Sequence, residues 1–299
     1  MPISSCENID IAPSGQELTR HGSSSFPAAC YQDNLSISPV PWHWHEELEA
    51  LMVDQGSLKI GCGEYQNILT EGQGVLINSG VLHGCWQHGE VPCRIHSIVF
   101  HPRLIGGSPD SVFYHGYLEP LLRHRIGPCQ CLSPEVDWQK TILSSIHTAW
   151  NAVREADYGF EFLVRQQLSE MILLLCRNVP IQSSGPDVRW AQRDQRAKLL
   201  LQYIHDHYSE KISVRDISAA ASVSESECLR CFHSVIHLTP NQYLRQYRIQ
   251  KACELLRSSN DTVAAISAAC GFEDVSFFIK SFRQAMGTTP AVYRRLQRL

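Results

Sequence analysis

Residues 224–232, SESECLRCF, and residues 274–282, DVSFFIKSF, decide how the last third of the chain folds, because the second stretch repeats the first fifty residues on. Ser226 recurs as Ser276, Arg230 as Lys280 and Phe232 as Phe282, and the same offset carries Pro240 to Pro290, Tyr243 to Tyr293 and Arg245 to Arg295. A recurrence of this period marks a repeated supersecondary unit.

Each copy reads as helix, tight turn, helix. In the first, Ser213 with Asp216 predicts a helix start, and Val214, Ile217 and Ala221 form its apolar stripe. Ser224 with Glu227 predicts a second capping box, followed by a helix carrying Leu229, Phe232 and Ile236 inward and Ser226 and Arg230 outward. In the second copy, Val263 and Ile266 lead to Gly271, placed where a left-handed C-terminal residue is wanted, and Asp274 caps the next helix. Phe278 and Phe282, four apart, are predicted to face the core, with Ser276, Ile279 and Lys280 on the open side. Thr239-Pro240 and Thr289-Pro290 each open one further helix, and Gln242 completes a box with Thr239. Two short helices joined in this way are a helix-turn-helix.

Between the copies lies one helical run, 240–257, with Leu244, Ala252, Leu255 and Leu256 as its apolar side. Its eighteen residues make a rod of about 27 Å. Such a rod holds two recognition helices about one duplex turn apart, roughly 34 Å, so that one chain addresses two half-sites. Charge agrees with this division. From Gln195 onward there are 14 Lys and Arg against 9 Asp and Glu, whereas the preceding part has 12 against 21. A net charge of −4 therefore hides a basic third suited to phosphates. Arg248, in mid-rod, is expected in an internal salt bridge, and Cys228 and Cys231, without a second ligand pair, in the core rather than on zinc.

The motifs Ser224-x5-Arg230-x-Phe232, Thr239-Pro240-x2-Tyr243-x4-Arg248-x3-Ala252-x2-Leu255-Leu256 and Gly271-Phe272-x5-Phe278-x3-Phe282-x4-Gly287-x2-Pro290-x2-Tyr293-Arg294 resemble the DNA-binding domain of the arabinose-operon regulator (AraC/XylS) family. The resemblance covers about the last hundred residues. It implies base contacts from Ser226, Leu229 and Arg230 and from Val275, Ser276, Ile279 and Lys280. Three of these are apolar, which suits thymine methyl groups.

Upstream, residues 48–53, 57–61, 65–69, 75–77 and 94–100 are short strand candidates parted by turns at Gly56, Gly63, Gly72 and Gly80, a pattern of sandwich or barrel. Within them lies His43-x-His45-x3-Glu49-x6-Gly56, then Gly72 and His83. Side chains alternate along a strand, so His43, His45 and Glu49 share one side if the strand is unbroken. This looks like the two-part motif of the cupin family, a double-stranded barrel of jelly-roll type. It departs from that motif in having Asn78 at the usual Pro and no closing Asn after His83. Imidazole and carboxylate suit zinc, manganese, iron or nickel, so a divalent metal on His43, His45, Glu49 and His83 is one reading, and no other cofactor is called for. In the AraC/XylS family such residues belong instead to a pocket for a small-molecule effector, a sugar among the candidates. Trp42 and Trp86 are assigned to the same pocket, with Trp44 nearby, because aromatic faces beside polar groups suit such a ligand.

The resulting fold class is α+β: an N-terminal arm (1–20), a cupin-like sensor (21–132), a helical dimerisation element (133–178), a linker (179–194) and a tandem helix-turn-helix domain (195–299). In the helical element, Trp138, Ile142, Ile146, Ala149 and Val153 keep three- and four-residue spacing and Gly159 interrupts. No export signal or membrane span is read, so the twelve cysteines are expected reduced in a cytoplasm, Cys129 and Cys131 being the candidate redox pair. The expected function is a transcription activator that binds double-stranded DNA under effector control, with a homodimer and RNA polymerase as further partners and no catalysis. The alternative is a metal-binding cupin fused to a DNA reader, acting as enzyme or as metal or redox sensor.

Overall fold

The computed structural model describes residues 3–5, 9–180 and 188–296, and it forms two units, Met1–Asp194 and Gln195–Leu299. In the first unit the strands are β1 (Ala28–Asn34), β2 (Val40–His43), β3 (Leu48–Gln55), β4 (Ser57–Cys62), β5 (Tyr65–Thr70), β6 (Gly74–Ile77), β7 (His83–Gln87), β8 (Arg94–Phe100) and β9 (Cys129–Leu132), with short helices α1 (Arg103–Gly106) and α2 (Glu119–His124) between β8 and β9. They make a five-stranded sheet, β1-β8-β3-β6-β9, and a four-stranded sheet, β2-β7-β4-β5. Every strand pair is antiparallel.

Alternation along β3 shows how the layers arise. Leu51 and Val53 point between the sheets, where they meet Leu58, Ile60 and Cys85 of the facing sheet. Leu48 and Ala50 point the other way, onto Ile142, Ile146 and Ala149 of α3 (Asp137–Glu155), with Leu168 and Met171 of α4 (Phe160–Asn178) in the same core. A sheet buried on both faces needs apolar residues at both parities, which is why residues 48–53 read as an almost unbroken apolar run. Burial of each large side chain contributes about 1.5–3 kcal/mol. Trp150 of α3 locks the cover in place by donating Nε1–H to the Tyr31 carbonyl at 3.0 Å. α3 and α4 thus cover the barrel, while Phe162 stays exposed on α4.

In the N-terminal arm (1–20), Glu17 N donates to the Trp44 carbonyl at 2.9 Å and Trp44 N to the Gly15 carbonyl at 3.0 Å. This backbone pairing fastens the segment beside the residue that follows β2. The expected linker 179–194 has its residues 181–187 outside the described ones, and 188–194 already belong to helix α5 (Val188–His207), whose sequence keeps Leu200, Leu201 and Ile204 on a buried face.

In the second unit the repeat becomes α6 (Val214–Ala220), α7 (Glu225–Cys231), α8 (Pro240–Ser258), α9 (Val263–Ala269), α10 (Val275–Met286) and α11 (Pro290–Leu296). Capping boxes form at Ser213 with Asp216 and at Thr239 with Gln242. At Ser224 only half of the box forms: Glu227 N donates to Ser224 Oγ at 3.2 Å, but the Glu227 carboxylate is taken by Arg230 and Arg196. A π-helical turn, Phe232–Ile236, follows α7 and ends at His237, whose φ is +57°. α8 serves both repeats. Its Tyr243 meets Phe232 of the first, with ring centroids 6.1 Å apart, while Ile249, Ala252, Cys253 and Leu256 join Ile266, Phe278 and Phe282 of the second. Cys228 and Cys231 are buried, as apolar fillers of the first repeat.

Among the described residues Arg248 makes no salt bridge of the expected kind. Its Nε and one terminal nitrogen donate to the carbonyls of Tyr208 and Glu210, each at 2.7 Å, and its guanidinium lies over Phe272, 5.8 Å from the ring centroid. It closes the chain just after α5, where carbonyls lack helical partners. Gly271 sits against the same carbonyl: its φ is +78°, and a Cβ there would lie 2.7 Å from Tyr208 O. Only glycine satisfies both conditions.

Candidate functional site

Two places gather the residues singled out in the sequence. The first is the open face of the repeat. Ser226 and Arg230 are exposed on α7, and Val275, Ser276, Ile279 and Lys280 are exposed on α10. Leu229, which periodicity placed inward, is 45% exposed. The neighbouring Cys228 and Cys231 take the core positions instead, so Leu229 stands beside Arg230 on the open side. Caps hold both helices at their starts, Ser224 for α7 and Asp274 for α10, the latter accepting from Phe277 N at 2.5 Å. A groove along α10 is lined by Ser276, Ile279, Lys280, Arg283, Gln284 and Thr289. Sequence reading singles out Thr289 only as a helix cap and passes over Arg283 and Gln284, although Arg283 lies three residues beyond Lys280 and so on the same helical face.

Arg230 is not idle in the free protein. Its guanidinium lies 2.5 Å from Glu227 Oε2, and the other oxygen of that carboxylate meets Arg196 at 3.2 Å. The face is therefore basic but partly self-neutralised on α7.

The second place is the barrel interior. His43, at the end of β2, pairs directly with His83, at the start of β7. Their ring centroids are 4.2 Å apart. β2 ends there, so His45 and Glu49 are not on one unbroken strand, yet the short connection into β3 returns both to the same cluster: Glu49 Oε2 is 3.6 Å from His45 Nε2 and 3.2 Å from His83 Nε2. The N-terminal segment adds two residues that motif reading missed. Glu17 Oε2 lies 3.5 Å from His43 Nε2 and 3.4 Å from His21 Nε2. An i, i+4 Glu–His pair in a stretch read as a loose arm gave no reason to place it here.

All four imidazoles are oriented alike. Nδ1 of His43 faces the Pro41 carbonyl at 2.9 Å, that of His45 the Glu47 carbonyl at 3.2 Å, that of His83 the Val81 carbonyl at 2.8 Å and that of His21 the Tyr31 hydroxyl at 2.7 Å. A carbonyl only accepts, so in His43, His45 and His83 the proton is on Nδ1, and in the neutral ring Nε2 is a bare lone pair. The Nε2 atoms converge on the two carboxylates. Nε2 of His21, His45 and His83 is buried without a hydrogen-bond partner. Burial, with His83 and His45 alongside, pushes His43 down to about 3, so its ring is neutral. Burial would raise Glu49, but the His45 and His83 rings outweigh it and hold the carboxyl well below its usual range. Glu17 is likewise lowered, His21 and His43 outweighing its burial, and remains a carboxylate.

Each carboxylate faces imidazole Nε2 atoms at 3.2–3.6 Å, where either a proton on a ring or a bound cation balances its charge. The donor set His43, His45, Glu49 and His83 fits a first-row divalent ion: bonds of about 2.0–2.2 Å place neighbouring donors about 3–3.5 Å apart, as Glu49 stands to His83 and, within a tenth of an ångström, to His45. The carbonyls on Nδ1 are the outer support that metal-bound imidazoles use.

Trp42 and Trp86 do not belong to this pocket. They pack on each other, centroids 5.2 Å apart, over Gly61 and Gly84. Gly61 and Gly84 are paired across β4 and β7, one residue from Cys62 and His83, and so lie on the opposite face. Strand alternation that sends His43 inward sends Trp42 outward. Side chains at those glycines would strike the indoles, at 2.3 Å for Gly61. Trp44 is also apart, donating Nε1–H to the Ser14 carbonyl at 3.0 Å. Asn78, where the motif departs from a Pro, holds the nearby loops by donating Nδ2–H to the carbonyls of Leu122 and Gly127, both at 2.8 Å.

Cys129 and Cys131, both half-buried, are not activated. Hydrogen bonding with Cys131 lowers the Cys129 thiol, but Cys62 and burial raise it further, and Cys129 and burial raise Cys131. Thiols held protonated react slowly with oxidants. Among the described residues no helix is long and apolar enough to cross a membrane.

Comparison with known proteins matches residues 26–134 to a family described as AraC-like ligand binding domain and residues 217–296 to a helix-turn-helix domain family. The chain is 29% identical over 297 residues to the uncharacterized HTH-type transcriptional regulator YdeC of Bacillus subtilis (strain 168), covering 97% of this chain and 99% of that one. It is 24% identical over 265 residues to the HTH-type transcriptional activator RhaR of Mannheimia succiniciproducens, covering 86% and 87%. A solved DNA-binding domain of AdpA, a global transcriptional factor in complex with a target DNA, is 29% identical and covers 34% of this chain and 92% of that one, with a TM-score of 0.33.

Proposed function

We propose, from the premise that this chain is a DNA-binding transcription regulator of the AraC/XylS family with an AraC-like ligand-binding domain, that it activates transcription in the cytoplasm when an effector alters that domain. Base reading falls to Ser226, Leu229 and Arg230 on α7 and to Val275, Ser276, Ile279 and Lys280 on α10. The observation that carries this reading is the recurrence of an exposed, mixed apolar and basic face on two capped helices joined through one helix, α8. The 19 residues of α8 span about 28 Å, close to one duplex turn. A homodimer and contact with RNA polymerase belong to the same proposal, as does the absence of catalysis; relatives named as transcription regulators support it.

The test is selection of bound duplexes from a random library by the full-length protein. A reader of two half-sites returns two conserved blocks about ten base pairs apart. Enrichment of no sequence would overturn it.

The effector enters through the barrel. Sugar control, as the family suggests, is one form of this proposal. The bare Nε2 atoms of the cluster favour a second: a divalent metal held by His43, His45, Glu49 and His83. When bound, such an ion supplies a Lewis-acidic centre to which an oxygen-bearing effector can attach. The chain's own part is to exclude water, fix the imidazole tautomers through the Pro41, Glu47 and Val81 carbonyls, and keep Glu49 ionised. Occupancy changes DNA binding only by the difference in its affinity for the two regulatory states. Metal analysis of the full-length protein and of His83→Ala tests this, a stoichiometric ion lost in the variant being the expected result.

A further inference from the structure

We infer that Glu17 is an additional ligand of that metal, delivered by the N-terminal segment, so that metal binding fastens residues 9–21 to the barrel. The inference rests on the metal reading of the cluster and adds a residue that no part of the His43, His45, Glu49 and His83 motif contains.

The geometry is that of a coordination edge. Glu17 Oε2 stands 3.5 Å from His43 Nε2, compared with 3.6 Å and 3.2 Å for Glu49 Oε2 to His45 and His83. Donor atoms of Glu17, His21 and His45 all lie within 4.8 Å of one another, and this set shares His45 with the set of His43, His45, Glu49 and His83. Its side chain is only 4% exposed. A carboxylate is costly to bury without a partner, and Glu17 faces the Nε2 atoms of His21 and His43 at 3.4 and 3.5 Å. Three imidazoles and two carboxylates on a first-row divalent ion leave the complex neutral, with an outer position for His21 or an effector oxygen.

The segment is built to present Glu17 there. Leu18 N donates to the Asp10 carbonyl and Ala12 N to the Gln16 carbonyl, both at 2.8 Å, making a small closed loop. Glu17 N and the Gly15 carbonyl then clasp Trp44, next to His43 and His45. His21, four residues on, is buried with its Nδ1 on Tyr31 Oη at 2.7 Å. Removal of the ion leaves the segment held by its backbone bonds, by the pairing of Glu17 with His21 and His43 and by the Tyr31 hydroxyl.

The experiment uses the full-length protein, stripped with chelator, titrated with Zn2+ and separately with Mn2+ in competition with a chromophoric chelator. Wild type, Glu17→Gln and His83→Ala are compared, and hydrogen exchange of residues 9–21 is followed in wild type with and without Zn2+. The expected result is that Glu17→Gln binds at least about tenfold more weakly than wild type, that His83→Ala loses binding, and that Zn2+ slows exchange at Glu17 and Trp44. Equal affinity of wild type and Glu17→Gln, with binding lost in His83→Ala and exchange unmoved by Zn2+, would sink the role of Glu17 and leave the metal site standing. If wild type binds neither ion, the metal reading fails and the Glu17 ligand with it.

Discussion

Replacing Arg230 with alanine separates base reading from attraction to phosphate. In the free protein the Arg230 side chain is 75% exposed and paired with Glu227 at 2.5 Å. An exposed pair of this kind contributes about 0.2–1 kcal/mol, whereas a bidentate arginine on guanine discriminates by about 1–3 kcal/mol. If Arg230 reads a guanine as proposed, DNA binding exchanges the first for the second, and the net share of Arg230 is about 1–2 kcal/mol. Arg230→Ala is therefore expected to weaken binding to a selected duplex by about 5- to 30-fold. A scrambled duplex of the same length should be affected much less. Glu227→Gln removes the competitor for Arg230 and leaves the Ser224 cap on the backbone N–H intact, so it should tighten specific binding by up to about fivefold. The measurement is fluorescence anisotropy of both duplexes over a range of salt. Equal loss on both, with the salt slope shallower by about one ion, would refute base contact and reassign Arg230 to phosphate; no loss on either would remove it from the interface.

Further outcomes concern the frame behind that face. Phe282→Ala empties a fully buried site in the second repeat and is expected to cost about 3–5 kcal/mol by thermal or denaturant unfolding. Gly271→Ala must accept φ +78° and a Cβ 2.7 Å from Tyr208 O, and should destabilise by more than about 1 kcal/mol in the same assay. Arg248→Ala leaves the Tyr208 and Glu210 carbonyls without their donor and is expected to lower stability by about 2 kcal/mol, while Arg248→Lys, lacking the fork, should recover only part. A midpoint for Arg248→Ala equal to wild type would show that solvent satisfies those carbonyls equally well.

The reader domain was legible in the sequence because its signals are local. Caps at Ser213, Ser224, Thr239 and Asp274 act on backbone N–H groups three residues away, and the left-handed Gly271 is a property of one residue. Errors came where two local rules compete for one side chain. Glu227 was read as closing a box, but two arginines reach its carboxylate and one backbone N–H cannot outbid them. Leu229 was turned inward by hydrophobicity, yet in a seven-residue helix Cys228 and Cys231, three apart, already define the buried side.

The barrel cluster shows a different limit. His43, His45 and Glu49 are close in sequence and His83 is brought beside them by strand pairing, so a motif can carry them. Trp42 and Trp86 shared the motif's neighbourhood and were assigned to its pocket, although alternation from His43 and His83 already excludes it: Trp42 is one residue from His43 and Trp86 three from His83, both odd offsets. Glu17 and His21 could not be recovered that way, because their place depends on backbone bonds to Trp44 and on the Tyr31 hydroxyl. Loss of the two indoles and gain of a carboxylate change the chemistry of the pocket. A stacking site for a sugar ring gives way to a buried set of imidazoles and carboxylates, whose charge a proton on a ring or a bound cation balances. On the metal reading proposed above, an organic effector acts here by coordinating to the ion or by displacing it.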